Sequence, residues 1–344
     1  MFWVETLCSP VCYYQFVLIT RSTFFVVNDS TDPILIGNHS MILVTGGAGY
    51  IGSHACVELL ESGERLVVFD NFSNSHRESL HRVERICGKS LIIVEGDIRD
   101  QDALESVLTE HKCTAVMHFA GLKAVQESVT APLDYYDNNV VGTCRLLRAM
   151  QRKQVKRIIF SSSATVYGVP QFLPYTEEHP LKPVNPYGRT KLVVEDVLRD
   201  LHASDQSWAI GILRYFNPVG AHESGLIGED PRGVPNNLLP FIAQVAVGRR
   251  QALNVWGGDY DTPDGTGIRD YIHVVDLAAG HVAALKSLDA PKCFAANLGT
   301  GAGSSVLEVI KAFERASGKK IPFQIRPRRQ GDLDASYAGT ALTQ

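Results

Sequence analysis

Nowhere in the 344 residues does an apolar run reach the twenty or so positions that a membrane helix needs. The nearest approach, residues 11–27, is broken by Arg21 and by the polar Gln15, Thr20, Ser22 and Thr23. It lacks the basic start of a signal peptide and sits too far from the amino terminus. Cysteine pairs at C-x-x-C spacing are missing as well. The seven cysteines, at 8, 12, 56, 87, 113, 144 and 293, are scattered. An odd number in a long chain argues against a disulfide framework and for reduced thiols in a cytoplasmic protein. Charge of either sign is in short supply too. A net −4 gives no reason to expect nucleic acid or a membrane surface as partner. Internal repeats and low-complexity tracts are absent, and no metal-ligand cluster stands out. What remains, 45% apolar and 20% charged residues, suits a globular protein.

Residues 1–40 have a texture of their own, rich in aromatic and β-branched residues such as Phe24, Phe25, Val26 and Val27, with no clear period. They are expected to be an extension outside the main pattern. A targeting segment or an extra structural element are the other readings. From Met41 onward, strands and helices alternate. Met41–Thr45, Arg65–Asp70, Leu91–Glu95, Ala115–His118 and Arg157–Ser161 read as buried strands. Tyr50–Ser62, Asp100–Glu110 and Pro132–Lys153 read as helices. Fully apolar strands between helices mean a parallel sheet covered on both faces, and right-handed crossovers make it an α/β, doubly wound sheet. After about Arg214, glycine and proline become frequent, as in loops over a site or a second, smaller domain. Helices are expected there at Asn237–Gly248, His273–Leu288 and Ser304–Ser317.

Gly46-Gly-Ala-Gly49-Tyr-Ile-Gly52 lies between the first strand and the first helix. Three glycines there allow a tight turn, backbone approach to a pyrophosphate, and close helix–strand packing. The phosphates would then face free N–H groups at a helix start. Asp70 ends the second strand, 18 positions after Gly52, where its carboxylate can take two ribose hydroxyls and repel a 2′-phosphate. NAD, not NADP, is the expected cofactor on a Rossmann-type sheet. Asp97 would lie near the adenine, or simply cap the next helix.

Tyr187 and Lys191 are one helical turn apart, on one face. A tyrosine that acts as a base near neutrality must fall from about 10 to about 7, which takes roughly 4 kcal/mol. A lysine ammonium about 4 Å away supplies roughly that at an effective dielectric near 20. The preceding strand ends in Ser161-Ser-Ser163, which places Ser163 at the ligand edge of the sheet, able to hydrogen-bond a sugar hydroxyl.

Several motifs together resemble the UDP-glucose 4-epimerases, a branch of the extended short-chain dehydrogenase/reductases. They include Gly46 to His54, Phe119-Ala-Gly-Leu-Lys-Ala-Val125, Tyr135-Tyr-Asp-Asn-Asn139, Ser161 to Gly168 and Pro186-Tyr-Gly188. Arg214 to His222, Pro235 to Leu238 and Gly265 to His273 continue the likeness, which runs from Met41 to about Tyr337. The resemblance implies Ser163, Tyr187 and Lys191 as the catalytic group. It implies Gly46, Gly49, Tyr50, Ile51, Gly52, Asp70, Asn71, Asn74, Ser75, Asp97 and Ile98 as an NAD cradle. Phe119, Ala120, Gly121, Lys123, Asn138 and Phe216 would complete that cradle. Asn217, Asn237, Leu238, Arg269, Arg329, Asp332 and Ser336, with Lys123, would hold a UDP-sugar; Arg269 and Arg329 offer planar forks to its diphosphate. The implied reaction oxidises and re-reduces sugar carbon 4 through a 4-keto intermediate that turns over in the pocket. A homodimer is also implied, through the helices near Ala103–Leu108 and Leu133–Met150, although core packing accounts for the same apolar pattern.

The implied division is residues 1–40 outside the family pattern, 41–215 rejoined by about 268–300 as the NAD-binding domain, and 216–267 with 301–344 as a smaller α+β substrate-binding domain. The family continues through Tyr-Ala-Asp into a further helix, whereas here Tyr337-Ala-Gly339 is followed by the last residue, Gln344. Part of the cover over the substrate domain is therefore expected to be missing. Ser336, a small residue where a bulky one restricts the sugar pocket, would leave room for a 2-N-acetyl group. A 4,6-dehydratase would carry Asp-Glu where Ala164 and Thr165 stand, so that chemistry is disfavoured. A decarboxylase of UDP-glucuronate is disfavoured likewise. A non-catalytic NAD-binding protein is the rival of another class, against which Ser163, Tyr187 and Lys191 argue.

Overall fold

Met41–Thr45 is buried at every position because its alternate side chains enter two different cores. Ile42 and Val44 pack on one face of the sheet, with the helix Tyr50–Glu61; Leu43 packs on the other, with the helix Gly142–Arg152. That pattern places this strand, β1, in the middle of a covered parallel sheet. The computed structural model describes residues 41–230, 235, 237–329 and 331–343. The leading segment lies outside the described residues.

Six further strands complete the sheet: β2 (Arg65–Asp70), β3 (Ile92–Glu95), β4 (Cys113–His118), β5 (Arg157–Ser163), β6 (Ala209–Tyr215) and, late in the chain, Cys293–Leu298. The order runs from Cys293–Leu298 through β6, β5, β4, β1 and β2 to β3, and every pairing is parallel. The order reverses beside β1, which is where a doubly wound sheet opens its ligand crevice.

The helix expected over 132–153 is divided. Pro132–Tyr135 passes through a wide π-helical turn, Tyr136–Val141, before Gly142–Arg152 resumes the α-helix. Such bulges mark functional sites. Here the turn aims Asn139 inward, where its amide holds both the N–H and the C=O of Leu122 and contacts Thr190. The helix Pro186–Ser204 starts abruptly because Asn185 accepts from the Gly188 N–H at 2.8 Å and proline occupies its first position.

A second group of strands, β7 (Asn217–Val219), β8 (Leu253–Trp256) and β9 (Ile268–His273), opens the smaller part of the chain. In chain order the main-sheet strand Cys293–Leu298 is β10, followed by β11 (Gly303–Ser305), β12 (Phe323–Arg326) and β13 (Ala335–Ser336). β9 pairs with β7, β11 and β13, and β8 pairs with β12. The helix Val274–Ser287 follows β9 directly. Its buried Leu277, Ala278 and Val282 join the core beneath the helix Tyr50–Glu61. The helix Val306–Ser317 is closed by a reciprocal Ser305/Glu308 capping box and ends at the left-handed Gly318.

Candidate active site

A cleft of about 1160 Å³ runs along the carboxyl edge of the main sheet and under the smaller part. At one end lies the glycine turn after β1. A Cβ on Gly46 would come within 2.5 Å of the Ala120 backbone nitrogen, and Gly46 has φ +70. A Cβ on Gly52 would meet the Gly46 oxygen at 2.3 Å. Both are glycine for the protein's own packing. Gly49 differs, since nothing of the protein comes nearer its Cβ position than 3.4 Å. The space beside it faces the cleft at the start of the helix Tyr50–Glu61, where a pyrophosphate fits. Asp70 is tied to this turn. Its carboxylate accepts from the N–H groups of Ala48 and Phe72 and from the Ser75 hydroxyl.

Ser163, Tyr187 and Lys191 meet at the floor. Ser163 ends β5, while Tyr187 and Lys191 come from one face of the helix Pro186–Ser204. Tyr187 and Ser163 both line the cleft. Burial pushes the Tyr187 phenol up to about 12, with the Ser163 hydrogen bond opposing. Burial likewise brings Lys191 down to about 8, with the charge of Glu195 opposing. Burial thus acts against the lowering of the phenol expected from Lys191. The ammonium lies 6.0 Å from the centre of the Tyr187 ring and donates to the Ser161 carbonyl oxygen at 2.7 Å. A low-dielectric site favours the neutral phenol, and Lys191 is engaged at its other side. Lys191 also sits 4.9 Å over the Phe160 ring.

Behind the floor is a buried ionic network. Glu195, one turn beyond Lys191, accepts from Arg214, Arg199 and the Ser162 hydroxyl. Arg214 continues to the Tyr167 hydroxyl, which donates to Asn297.

Of the residues named from the sequence, most line this one cleft, including Asp70, Asn71, Asn74, Ile98, Asn138 and Phe216. Asn217, Asn237, Arg269, Asp332 and Ser336 line it as well. Three do not line it. Asp97 is taken up by Arg99 and Asn71, which hold its carboxyl far below the usual range despite burial. Leu238 packs against the small core of Ile242, Val245 and Val255. Arg329 is engaged by Asp332 through Nε and Nη2, at 2.9 and 3.2 Å. Arg269 is steadied by the carbonyls of Ile268 and Leu333. Among the cleft residues not singled out from the sequence are Tyr215, though it lies within the Arg214 to His222 motif, and Glu229. Tyr215 follows Arg214 at the end of β6, and Glu229 bridges Lys123 and Asn237.

The sequence matches the NAD dependent epimerase/dehydratase family over residues 42–299. The chain belongs to that family. It is 60% identical over 301 residues to a UDP-glucose 4-epimerase of Bacillus subtilis, covering 87% of this chain and 89% of that one. Among solved structures, the UDP-glucose 4-epimerase of Bifidobacterium longum in complex with NAD+ and UDP superposes with a TM-score of 0.86 at 56% identity. That match covers 88% of this chain and 91% of the other. The UDP-Glc/GlcNAc 4-epimerase of Campylobacter jejuni matches with a TM-score of 0.77 at 38% identity, over 88% and 91%. The family's cofactor, NAD, is therefore this chain's cofactor, and the glycine turn with Asp70 fits it.

Proposed function

We propose that this chain interconverts UDP-glucose and UDP-galactose by inverting carbon 4 of the sugar. The observation that carries the reading is the meeting of Tyr187, Ser163 and Lys191 in the cleft whose far end is the glycine turn and Asp70. When bound, NAD supplies a hydride acceptor and then a hydride donor for carbon 4. Tyr187 takes the proton of the 4-hydroxyl and returns it, while Ser163 holds that hydroxyl by hydrogen bonding. Lys191, anchored on Ser161, supplies the positive charge that favours the phenolate. Gly46, Gly49, Gly52 and Asp70 would hold the cofactor, and Phe119, Ala120, Lys123 and Asn138 would flank it. Asn217, Asn237, Arg269 and Asp332 would hold the UDP-sugar, leaving the hexose space to turn.

The test is turnover of UDP-galactose to UDP-glucose by purified protein, with NAD identified in the denatured sample. NAD-loaded protein that leaves UDP-galactose unchanged would sink the proposal.

Ser336 on the cleft wall supports acceptance of N-acetylated sugars as well. The Campylobacter jejuni relative is named for both sugars. UDP-N-acetylglucosamine should be turned over by the parent and lost in Ser336→Tyr. We divide the chain into an NAD-binding unit, 41–215 with 274–300, and a substrate-binding unit from the rest of 216–343. The five described cysteines carry no cross-link, in keeping with a reducing compartment such as the cytosol. The exposed Val129, Leu133 and Val141 favour a homodimer through that surface. Light scattering on the parent and on Leu133→Glu checks this, with the variant expected as a monomer.

A further inference from the structure

Beneath the cleft floor, on the helix Val274–Ser287, lies a fully buried histidine that the reaction above does not use. His281 places Nδ1 2.8 Å from the carbonyl oxygen of Leu277, a group that can only accept. Nδ1 must therefore carry a hydrogen. Burial keeps the ring neutral, since it brings the imidazole down to about 4. Nε2 is then a bare lone pair, and it lies 3.1 Å from the Ser161 hydroxyl oxygen. Ser161 must donate to it. The bonds thus run in one direction, from Ser161 through His281 to the Leu277 carbonyl. The His281 ring also packs 4.9 Å from the Phe119 ring and 5.9 Å from the Tyr215 ring, centre to centre. Tyr215 and Phe119 both line the cleft, whereas His281 and Ser161 do not. Ser161 has a second task, because its carbonyl oxygen anchors the Lys191 ammonium.

We infer that His281 is a positioning residue for the cleft: it fixes Ser161, which anchors Lys191, while its ring braces Phe119 and Tyr215. This rests on the reading of the cleft as an NAD-dependent epimerase site. The histidine takes no proton from the sugar and touches no ligand. It acts by being an acceptor of fixed direction.

The test is a double-mutant cycle on NAD affinity of the purified protein, read by protein fluorescence, with circular dichroism as the check of folding. Ser161→Ala and His281→Phe are each expected to weaken NAD binding about tenfold, the value of one lost hydrogen bond. The double variant should show the same tenfold loss, because both changes break one chain. His281→Gln, whose amide can serve both partners, should stay within about twofold of the parent. Losses that multiply to about a hundredfold, or a His281→Phe protein that binds NAD as the parent does, overturn the inference. Should His281→Phe fail to fold, parent-like affinity in Ser161→Ala overturns it equally. Absence of UDP-galactose turnover in the NAD-loaded parent would defeat the functional reading and leave this cycle interpretable.

Discussion

Arg214 and Glu195 face each other side-on in the protein interior, with Nε 3.0 Å from Oε1 and Nη2 2.7 Å from Oε2. Both side chains are almost wholly buried. Removing one partner strands the other's charge, so Glu195→Ala should cost about 3–5 kcal/mol of stability, read by urea unfolding. Burial works to raise the Glu195 carboxyl, but the hydrogen bonds and charge of Arg214 outweigh it and the carboxyl ends below its ordinary value. The pair's contribution is therefore present above the unfolded carboxylate range and lost as pH falls through the lower folded value.

Lys191 contributes a penalty where Glu195 contributes stability. Its folded value, about 8, lies below the free lysine value of 10.5, so between those limits the unfolded chain binds more protons and stability rises with pH. At pH 7 the penalty is fully present, roughly 3 kcal/mol. Lys191→Met should raise the melting temperature at pH 7 and abolish epimerisation, with the gain in stability shrinking as pH approaches 10.

Three buried histidines set the acid limit. Burial brings His54 and His281 to about 4 and His118 to about 3. Each binds its proton mainly in the unfolded chain between the free value, 6.5, and its own, so stability is lost as pH falls through that window. Together they give a slope of about 4 kcal/mol per pH unit near pH 5. Acid titration followed by circular dichroism should show uptake of about three protons on unfolding there, beyond the carboxylates.

Tyr187→Phe should leave NAD in the purified protein and lower kcat by at least about a thousandfold, since a general base is gone. Ser163→Ala should lower kcat less, by about a hundredfold, because only a hydrogen bond to the sugar is lost. Equal turnover in Tyr187→Phe and the parent would remove Tyr187 from the reaction.

The glycines of the turn should separate by cause. Gly46→Ala forces a contact of 2.5 Å with backbone at a left-handed φ, so the protein should fold poorly or melt several degrees lower. Gly49→Ala meets no such contact, and should fold normally while losing most of its NAD affinity. Melting curves with and without added NAD distinguish the two.

Legibility followed range along the chain. β1, the glycine turn, Asp70 and the Tyr187/Lys191 pair were readable because each is a local pattern of one strand, turn or helix face. The helix Arg77–Cys87 was not, since only Leu80 and Val83 are fully buried and seven of its eleven residues are charged or polar. The π-helical turn at Tyr136–Val141 was invisible, because its cause is Asn139 reaching back to Leu122. Lys123 meeting Glu229, Glu195 meeting Arg214, and Ser161 meeting His281 each join distant parts of the chain. Asp97, Leu238 and Arg329 carry the motif, and each is also engaged by neighbours within the protein, which no local pattern shows.

Tyr175 is sandwiched by the tail, accepting from the Gly339 N–H and donating its own N–H to the Tyr337 carbonyl, while the Ala338 N–H reaches the buried Asp270. Residues 337–339 thus complete an edge begun some 160 positions earlier. On the ribosome, the dinucleotide end of the molecule can set while synthesis continues, but the hexose end stays unfinished until this short segment emerges.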